Sequence, residues 1–185
     1  MNKFDSKRIA TLALLIAAAL TVALVESILP SPILLAPGAK LGLSNVSALI
    51  ALIVLGVGDA YAVMLLKSLL SALVTGGLSG LMYSIPAGIV SLTVEVLLYK
   101  LVFDKMSVAG ISLVGAVAFN LMQLLVACLV TKTDLSALVP PLMTAGLLAG
   151  AFTGLLAYMI VKKLPYSVYG ARRENSIRHR DNKEN

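Results

Sequence analysis

The chain has 185 residues, of which 59% are hydrophobic and only 13% are charged. Its mean hydropathy is +0.96 and its formal net charge is +6. A soluble domain is about half apolar and about a quarter charged, so this composition excludes an ordinary soluble domain. One cysteine, Cys128, and one histidine, His179, are too few to ligate a haem, an iron–sulfur cluster or a metal ion, so we expect no metal and no cofactor.

Long apolar runs follow one another along the chain, most of them near the length of about 20 residues that a membrane-crossing helix needs. They predict an all-α, polytopic membrane protein with six transmembrane helices. In this interpretation residues 1–165 form one membrane domain, and residues 166–185 form a basic, disordered cytoplasmic tail. The spans fall at roughly residues 9–29, 44–57, 58–74, 81–103, 108–130 and 138–161, and the second is short unless the preceding apolar residues lead into it.

The basic residues indicate how the spans are oriented. Most of the 15 lysines and arginines lie before the first span, after the fourth span or in the tail, which are on one side of the membrane if there are six spans. The side rich in lysine and arginine is cytoplasmic. We therefore expect both termini to be cytoplasmic and the protein to be a multi-pass protein of the bacterial cytoplasmic (inner) membrane. The lipid bilayer is then the partner of the basic tail, and we expect no nucleic acid.

The first two spans are joined by PSPILLAPGAKLGLSN, residues 30–45. Its glycines let backbone N–H groups approach a ligand, and its lysine can meet an anionic group. Polar residues of later spans fall on the same, external side, which predicts an external pocket for a small-molecule ligand. The alternative is structural, a re-entrant loop in which Ser44 or Asn45 caps the second span. The predicted binding residues are Gly38, Ala39, Lys40, Gly42, Ser44, Asn45, Tyr83, Ser84, Asn120 and Gln123.

Two ionisable residues lie deep in predicted spans. Lys67 is about 13 Å from the cytoplasmic end of the third span, and Glu95 is about 12 Å from that of the fourth. Charges at membrane depth usually face each other or a cavity, so we predict that the two form an intramembrane charge pair. The pair is either a structural link between helices or a charge coupled to conformational change or to the substrate.

Small residues recur at a spacing of four in two spans. They are Gly146, Gly150 and Gly154 in the sixth span, and Ala13 and Ala17 in the first. Such stripes let helices approach closely in lipid. They serve either packing within the protein or, for the alanines of the first span, docking of another membrane protein.

Three stretches together resemble a known family. PGAKLGLSN, the lysine-bearing MLLKSLLSALVTGGLSG and YSIPAGIVSL resemble the Gx transporter family, whose members are also labelled heptaprenyl diphosphate synthase component I. The resemblance covers about residues 8–163. Members commonly have arginine where this chain has Lys67, and two glycines where it has Ala87 and Gly88. Lys67 keeps the positive charge but lacks the planar fork of arginine.

The family is in turn similar to the S components of energy-coupling factor (ECF) vitamin importers. That similarity implies six spans, an external pocket covered by the loop after the first span, and an alanine-rich first helix that docks on a shared transmembrane subunit. The chain has no G-x-x-x-x-G-K-[ST] motif, so energy for transport would come from partner ATPases. We therefore expect a substrate-binding membrane subunit of a transporter for a vitamin-like or isoprenoid-like molecule.

Two other functions stay open. The first alternative is a membrane component of a flavin- or quinone-linked electron-transfer assembly. The second is a non-catalytic membrane partner of a polyprenyl diphosphate synthase. We do not expect the chain itself to be an enzyme, because prenyl transfer from a diphosphate needs clustered aspartates to hold magnesium, and the aspartates of this chain are isolated.

Overall fold

The computed structural model describes residues 6–28, 42–75, 77, 79–102 and 106–163, and these residues form helices joined by short turns. The tail and three predicted binding residues, Gly38, Ala39 and Lys40, lie outside the described residues. A 3-10 turn, Leu43–Asn45, leads into α2, and a second one, Ser136–Leu138, leads into α6. The helices are α1 (Ser6–Ile28), α2 (Val46–Val54), α3 (Val57–Thr75), α4 (Ser79–Leu101), α5 (Val108–Thr131) and α6 (Val139–Lys163).

Five of these helices, α1 and α3 to α6, are long and apolar enough to cross a membrane. The prediction of a polytopic helical membrane protein is confirmed at this level. The prediction of a sixth full span is not, because the second helical segment covers only Leu43–Val54. That segment is about 18 Å long at 1.5 Å per residue, whereas the hydrocarbon core of a bilayer is about 30 Å thick.

The helices alternate in direction, so that the start of α1 and the end of α6 lie at one end of the bundle. Arg8 of α1 binds Asp59 at the start of α3. One core cluster at this end also joins the end of α4, the start of α5 and the last turns of α6. We call it the basic end, because it carries Arg8, Lys100, Lys162 and Lys163. That the basic end faces the cytoplasm stays a prediction.

Helix α2 forms the centre of the bundle. Every residue from Val46 to Ile53 is buried, and α2 contacts α1, α3, α4 and α6. The turn from α2 into α3 depends on Gly56, whose φ of 112° lies in the left-handed region that glycine tolerates. Its N–H and that of Leu55 both donate to the carbonyl oxygen of Ala51, at 2.8 Å. These bonds end α2 at Val54, and only Leu55 and Gly56 separate it from the start of α3.

Helices α5 and α6 pack backbone against backbone. A Cβ atom placed on Gly150 would lie 2.8 Å from Cα of Leu113, and one on Gly154 would lie 2.8 Å from Cα of Ala109. The glycine stripe of α6 therefore serves internal packing, as the first alternative held. The alanines of α1 divide into two groups: Ala19 and Ala23 are buried, whereas the predicted docking residues Ala13 and Ala17 are exposed.

Candidate functional site

Polar side chains are buried in the interior, where a low-dielectric environment makes unpaired polar groups expensive. They lie on every one of the six helices or on the turn that precedes α2. In a membrane protein such residues mark either structural links or a functional site. Those buried in the described part are Glu26, Ser44, Ser47, Asp59, Lys67, Ser68, Ser71, Ser91, Glu95, Ser112, Asn120, Gln123 and Thr153.

The first link joins the last turn of α1 to the beginning of the 3-10 turn. The Glu26 carboxylate accepts hydrogen bonds from the backbone N–H of Gly42 and, at 3.4 Å, from that of Leu43. Helix starts leave N–H groups without intrahelical partners, and a carboxylate is favoured there. Gly42 has φ 85°, and a Cβ atom on it would lie 2.9 Å from the ring of Phe119. Glycine is therefore required at this position by conformation and by space.

The second link joins α3 to the same turn. Nζ of Lys67 donates to Oγ of Ser44 and to Oδ1 of Asn45, both at 2.6 Å. Asn45 is the N-cap of α2 but its side chain makes no capping bond, and the N-cap of the 3-10 turn is Gly42. The expected capping of the second span by the side chain of Ser44 or Asn45 is therefore wrong, because both side chains bind Lys67, whereas the wider alternative of a structural loop stays open.

Glu95 faces a small internal cavity. Its volume is about 10 Å³, which is room for about one water molecule. Two hydrogen bonds line it: Oγ of Ser91 donates to the carbonyl oxygen of Gly115 at 2.8 Å, and the hydroxyls of Ser112 and Thr153 are 2.8 Å apart. The lining residues are Gly42, Asn45, Val46, Ser91, Glu95, Ser112, Ala116 and Thr153.

Lys67 and Glu95 are close enough for the ammonium to attract the carboxylate. Asn45 lies between the two groups in the network, since it accepts a hydrogen bond from Lys67 and lines the cavity of Glu95. Direct pairing of the two charges stays a prediction. The sequence analysis treated the two charged residues and the turn that precedes α2 as separate features. In the structure they form one polar junction (Gly42, Ser44, Asn45, Lys67 and Glu95).

Asn120 and Gln123 lie one turn apart on α5 and are almost completely buried, with exposed fractions of 1% and 0%. Nδ2 of Asn120 donates to the carbonyl oxygen of Leu142 at 3.3 Å. Among the described residues, its Oδ1 has no hydrogen-bond partner, and neither does Oε1 or Nε2 of Gln123. The second carboxylate oxygen of Glu26, which is 4% exposed, is likewise without a partner. Four buried polar atoms thus lack partners on three side chains.

Tyr83 and Ser84 lie apart from the Glu95 cavity. Tyr83 precedes Glu95 by 12 residues on α4, which corresponds to about 18 Å along the helix. It is buried in a second core cluster with Leu124, Ala127, Leu135 and Leu142, at the end of the bundle opposite the basic end. Ser84 is half-buried beside it. Their predicted roles as ligand contacts stay predictions.

Sequence reasoning missed several members of these networks. It did not connect Glu26 to Gly42, and it did not pair Arg8 with Asp59. A lone carboxylate in an apolar span was the available signal for Glu26. No such signal marked Ser112 and Thr153, because serine and threonine in helices commonly bond to their own backbone, as Thr153 also does with Ala149 at 2.9 Å.

Within the described ranges, no three histidine, cysteine, aspartate or glutamate side chains come together as a metal site requires. A family model described as heptaprenyl diphosphate synthase component I matches residues 15–160, more than three quarters of the chain. No curated protein and no solved structure matches the chain. The match confirms the family resemblance, whereas the similarity to ECF S components stays a prediction.

Proposed function

Since the chain belongs to the heptaprenyl diphosphate synthase component I family, and is a membrane protein by its helices, we propose that it is a non-catalytic, substrate-binding membrane subunit. In this proposal it binds a small molecule in the half of the bundle opposite the basic end and works with a partner that supplies energy or chemistry. With the basic end in the cytoplasm, the ligand enters from outside. The bacterial cytoplasmic membrane is the location we propose.

The observation that carries the proposal is the set of unpartnered polar atoms on Glu26, Asn120 and Gln123. Leaving a buried polar group unsatisfied costs about 1–3 kcal/mol. Both polar atoms of Gln123 are without a partner among the described residues. A ligand that supplies the missing hydrogen bonds explains this. The prediction that Lys40 and its neighbouring glycines contact the ligand is part of the proposal.

The exposed face of α1 supports docking of a partner. About 17% of α1 is buried, compared with 33% to 44% of the other four long helices. Ala13 and Ala17 lie on its exposed side, where small side chains let another helix approach closely. We propose that a transmembrane partner docks here, and an ECF-type transmembrane subunit with its ATPases is the first candidate.

A polyprenyl diphosphate synthase is the second candidate partner. The family description names a synthase component, which implies a complex with a further component. In that case this chain is the membrane-bound, non-catalytic member. A flavin- or quinone-linked electron-transfer assembly stays the remaining alternative.

Ligand binding is tested by purifying the full chain from native membranes into lipid nanodiscs and identifying co-purified small molecules by mass spectrometry. We expect one compound in near-stoichiometric amount, and its loss in Gln123→Met, which keeps the side-chain length but removes both polar atoms. Thr144→Val is the matched control, because Thr144 is exposed and bonds only locally, to Pro141. The same compound retained by Gln123→Met, or no compound in the unaltered protein, would refute the proposed site.

Partner docking is tested by affinity purification in mild detergent. We expect Ala17→Leu to lose the co-purifying partner and Ala151→Leu, the same change at an exposed position of α6, to retain it. The identity of the partner separates the candidates: a transmembrane subunit with ATPases supports transport, and a prenyl synthase or a flavoprotein supports the alternatives. Equal recovery with both variants would exclude docking on α1.

A further inference from the structure

The unpartnered atoms define what a ligand must supply. Three are oxygens that accept hydrogen bonds: Oε2 of Glu26, Oδ1 of Asn120 and Oε1 of Gln123. One, Nε2 of Gln123, donates. The orientation of the Asn120 amide is fixed by the bond from its Nδ2 to Leu142. The orientation of the Gln123 amide does not change the number of free donors and acceptors, because both of its polar atoms are unpaired.

The three side chains are linked in the interior by a chain of contacts around Phe119. Glu26 holds the N–H of Gly42, and Cα of Gly42 lies against the ring of Phe119. Phe119 immediately precedes Asn120 and lies one helical turn before Gln123, so that Phe119 and Gln123 share a face of α5. The residues around Phe119 therefore bring a carboxylate and two amides from α1 and α5 to the same region. We call it the acceptor site (Glu26, Asn120 and Gln123).

Glu26 gives the acceptor site one negative charge, and the buried ammonium of Lys67, which contacts the same turn, donates to Ser44 and Asn45. Glu26 is 4% exposed, and among the described residues no cation bonds to its second oxygen. The nearest part of the polar junction presents backbone N–H groups to its first oxygen only. An anion placed against these three oxygens would be repelled and would lose its hydration without compensation. A group with several N–H bonds would satisfy all three.

From this inventory we infer that the acceptor site takes a neutral or cationic head group rich in N–H or O–H donors, such as an amidine, amine or primary amide, and rejects phosphate, diphosphate and carboxylate. The inference rests on the proposed function and specifies its ligand class. It separates a heterocyclic or amine-bearing ligand, which fits the site, from a prenyl diphosphate, whose head group carries only acceptors and negative charge.

Three probes of matched size and shape test the charge preference. Benzamidine is a cation with N–H donors, benzamide is neutral with donors and one acceptor, and benzoate is an anion with acceptors only. Binding to the full chain in nanodiscs is measured at pH 7 by calorimetry and by the shift in melting temperature. Empty nanodiscs control for partition into lipid. We expect affinity to decrease from benzamidine to benzamide to benzoate, with at least about tenfold between the first and the last, since hydrogen bonds to charged groups contribute about 1.5–3 kcal/mol.

Two variants test whether the acceptor site causes the preference for benzamidine. Glu26→Gln keeps the shape but removes the charge, and we expect it to weaken benzamidine about tenfold or more while changing benzamide by less than about threefold. Gln123→Met should weaken the binding of both benzamidine and benzamide. This variant keeps the test valid if Glu26→Gln fails to fold. Thr144→Val should change neither.

Benzoate binding as tightly as benzamidine would overturn the charge assignment, and a co-purified compound lost in Gln123→Met would still support the proposed function. Failure of all three probes to bind would also overturn the inference. The proposed function would then be decided separately by the co-purified compound. An unaltered preference for benzamidine in both Glu26→Gln and Gln123→Met would place binding elsewhere and refute the acceptor site.

Discussion

Helices α5 and α6 meet through their backbones, whereas polar side chains of α1 and α3 bind the turn that precedes α2. On α6 the glycines leave no room for a side chain against α5. By contrast, Glu26 of α1 accepts hydrogen bonds from the turn that precedes α2, and Lys67 of α3 donates to it. The apolar packing is directionless and tight, and the polar contacts are directional and few. The α5–α6 pair is thus suited to be a fixed support, and the junction is suited to change with ligand.

The largest effect should follow from filling the space between α5 and α6. Gly150→Leu places a side chain against backbone atoms, Leu113 Cα and the carbonyl oxygen of Ser112, which cannot move away as a side chain could. Overpacking typically costs about 1–3 kcal/mol, and we expect more than about 3 kcal/mol here. Thermal unfolding and size-exclusion chromatography in detergent measure it. Ala151→Leu, the same side chain one residue on at an exposed position, is the control, and equal stability of the two variants would contradict the tight contact.

A charge removed from the polar junction should be the next largest effect. Lys67→Ala leaves Ser44 and Asn45 without their donor, and Glu95→Ala removes the buried carboxylate. If the two charges are paired, the double variant should depart from additivity by about 0.5–3 kcal/mol. The cycle of Lys67→Ala with Asp59→Ala is the control, because Asp59 lies about 12 Å along α3 from Lys67 and binds Arg8. Additive effects in both cycles would exclude pairing of Lys67 with Glu95.

Gln123→Met should stabilise the ligand-free protein. Replacing an unsatisfied buried amide by an apolar side chain of similar length removes a penalty of about 1–3 kcal/mol. The melting temperature of the ligand-free protein should therefore rise while ligand retention is lost, which is the pattern of a site kept for function at the expense of stability. A lower melting temperature than that of the unaltered protein would show that Gln123 is a structural residue.

The smallest effect concerns the loop between α5 and α6. The backbone N–H of Ser136 donates to Oδ1 of Asp134 at 2.9 Å, and this bond holds the pKa of Asp134 below its ordinary value of 3.8. A carboxylate whose pKa is lowered on folding stabilises the protein above the unfolded pKa and loses that contribution as the pH falls through the folded one. The small stability difference between the unaltered protein and Asp134→Ala should therefore be constant from pH 5 to 7 and shrink below pH 3.8. A difference independent of pH would contradict a role for the charge.

Apolar run length predicted most of the fold because a membrane-crossing helix has few alternatives in lipid. The third span was placed at residues 58–74 and is Val57–Thr75, and the fifth was placed at residues 108–130 and is Val108–Thr131. The second span was harder, because glycine and proline interrupt the preceding sequence, and among the described residues the helical segment there is Leu43–Val54. The family and the internal role of the α6 glycines were also accessible from sequence.

The polar contacts were not predictable to the same degree. Counting residues from the end of a helix gives depth but not which neighbour a side chain faces. Depth alone suggested Lys67 opposite Glu95, which stays a prediction, and it gave no indication that Lys67 donates to Ser44 and Asn45. That contact exists because α2 begins well inside the bundle, and no periodicity in the sequence reports where a short helix begins. The unpartnered atoms of Gln123 likewise become evident only when its neighbours are known.

The position of α2 has a consequence for the order in which the protein assembles. Its residues Val46–Ile53 are buried by α1, α3, α4 and α6, yet α2 is synthesised second and α6 last. A segment about 18 Å long is too short to be held across a bilayer on its own. During synthesis α2 therefore first packs against α1 and α3 only. The side of α2 that contacts α6 stays uncovered until α6 has been made.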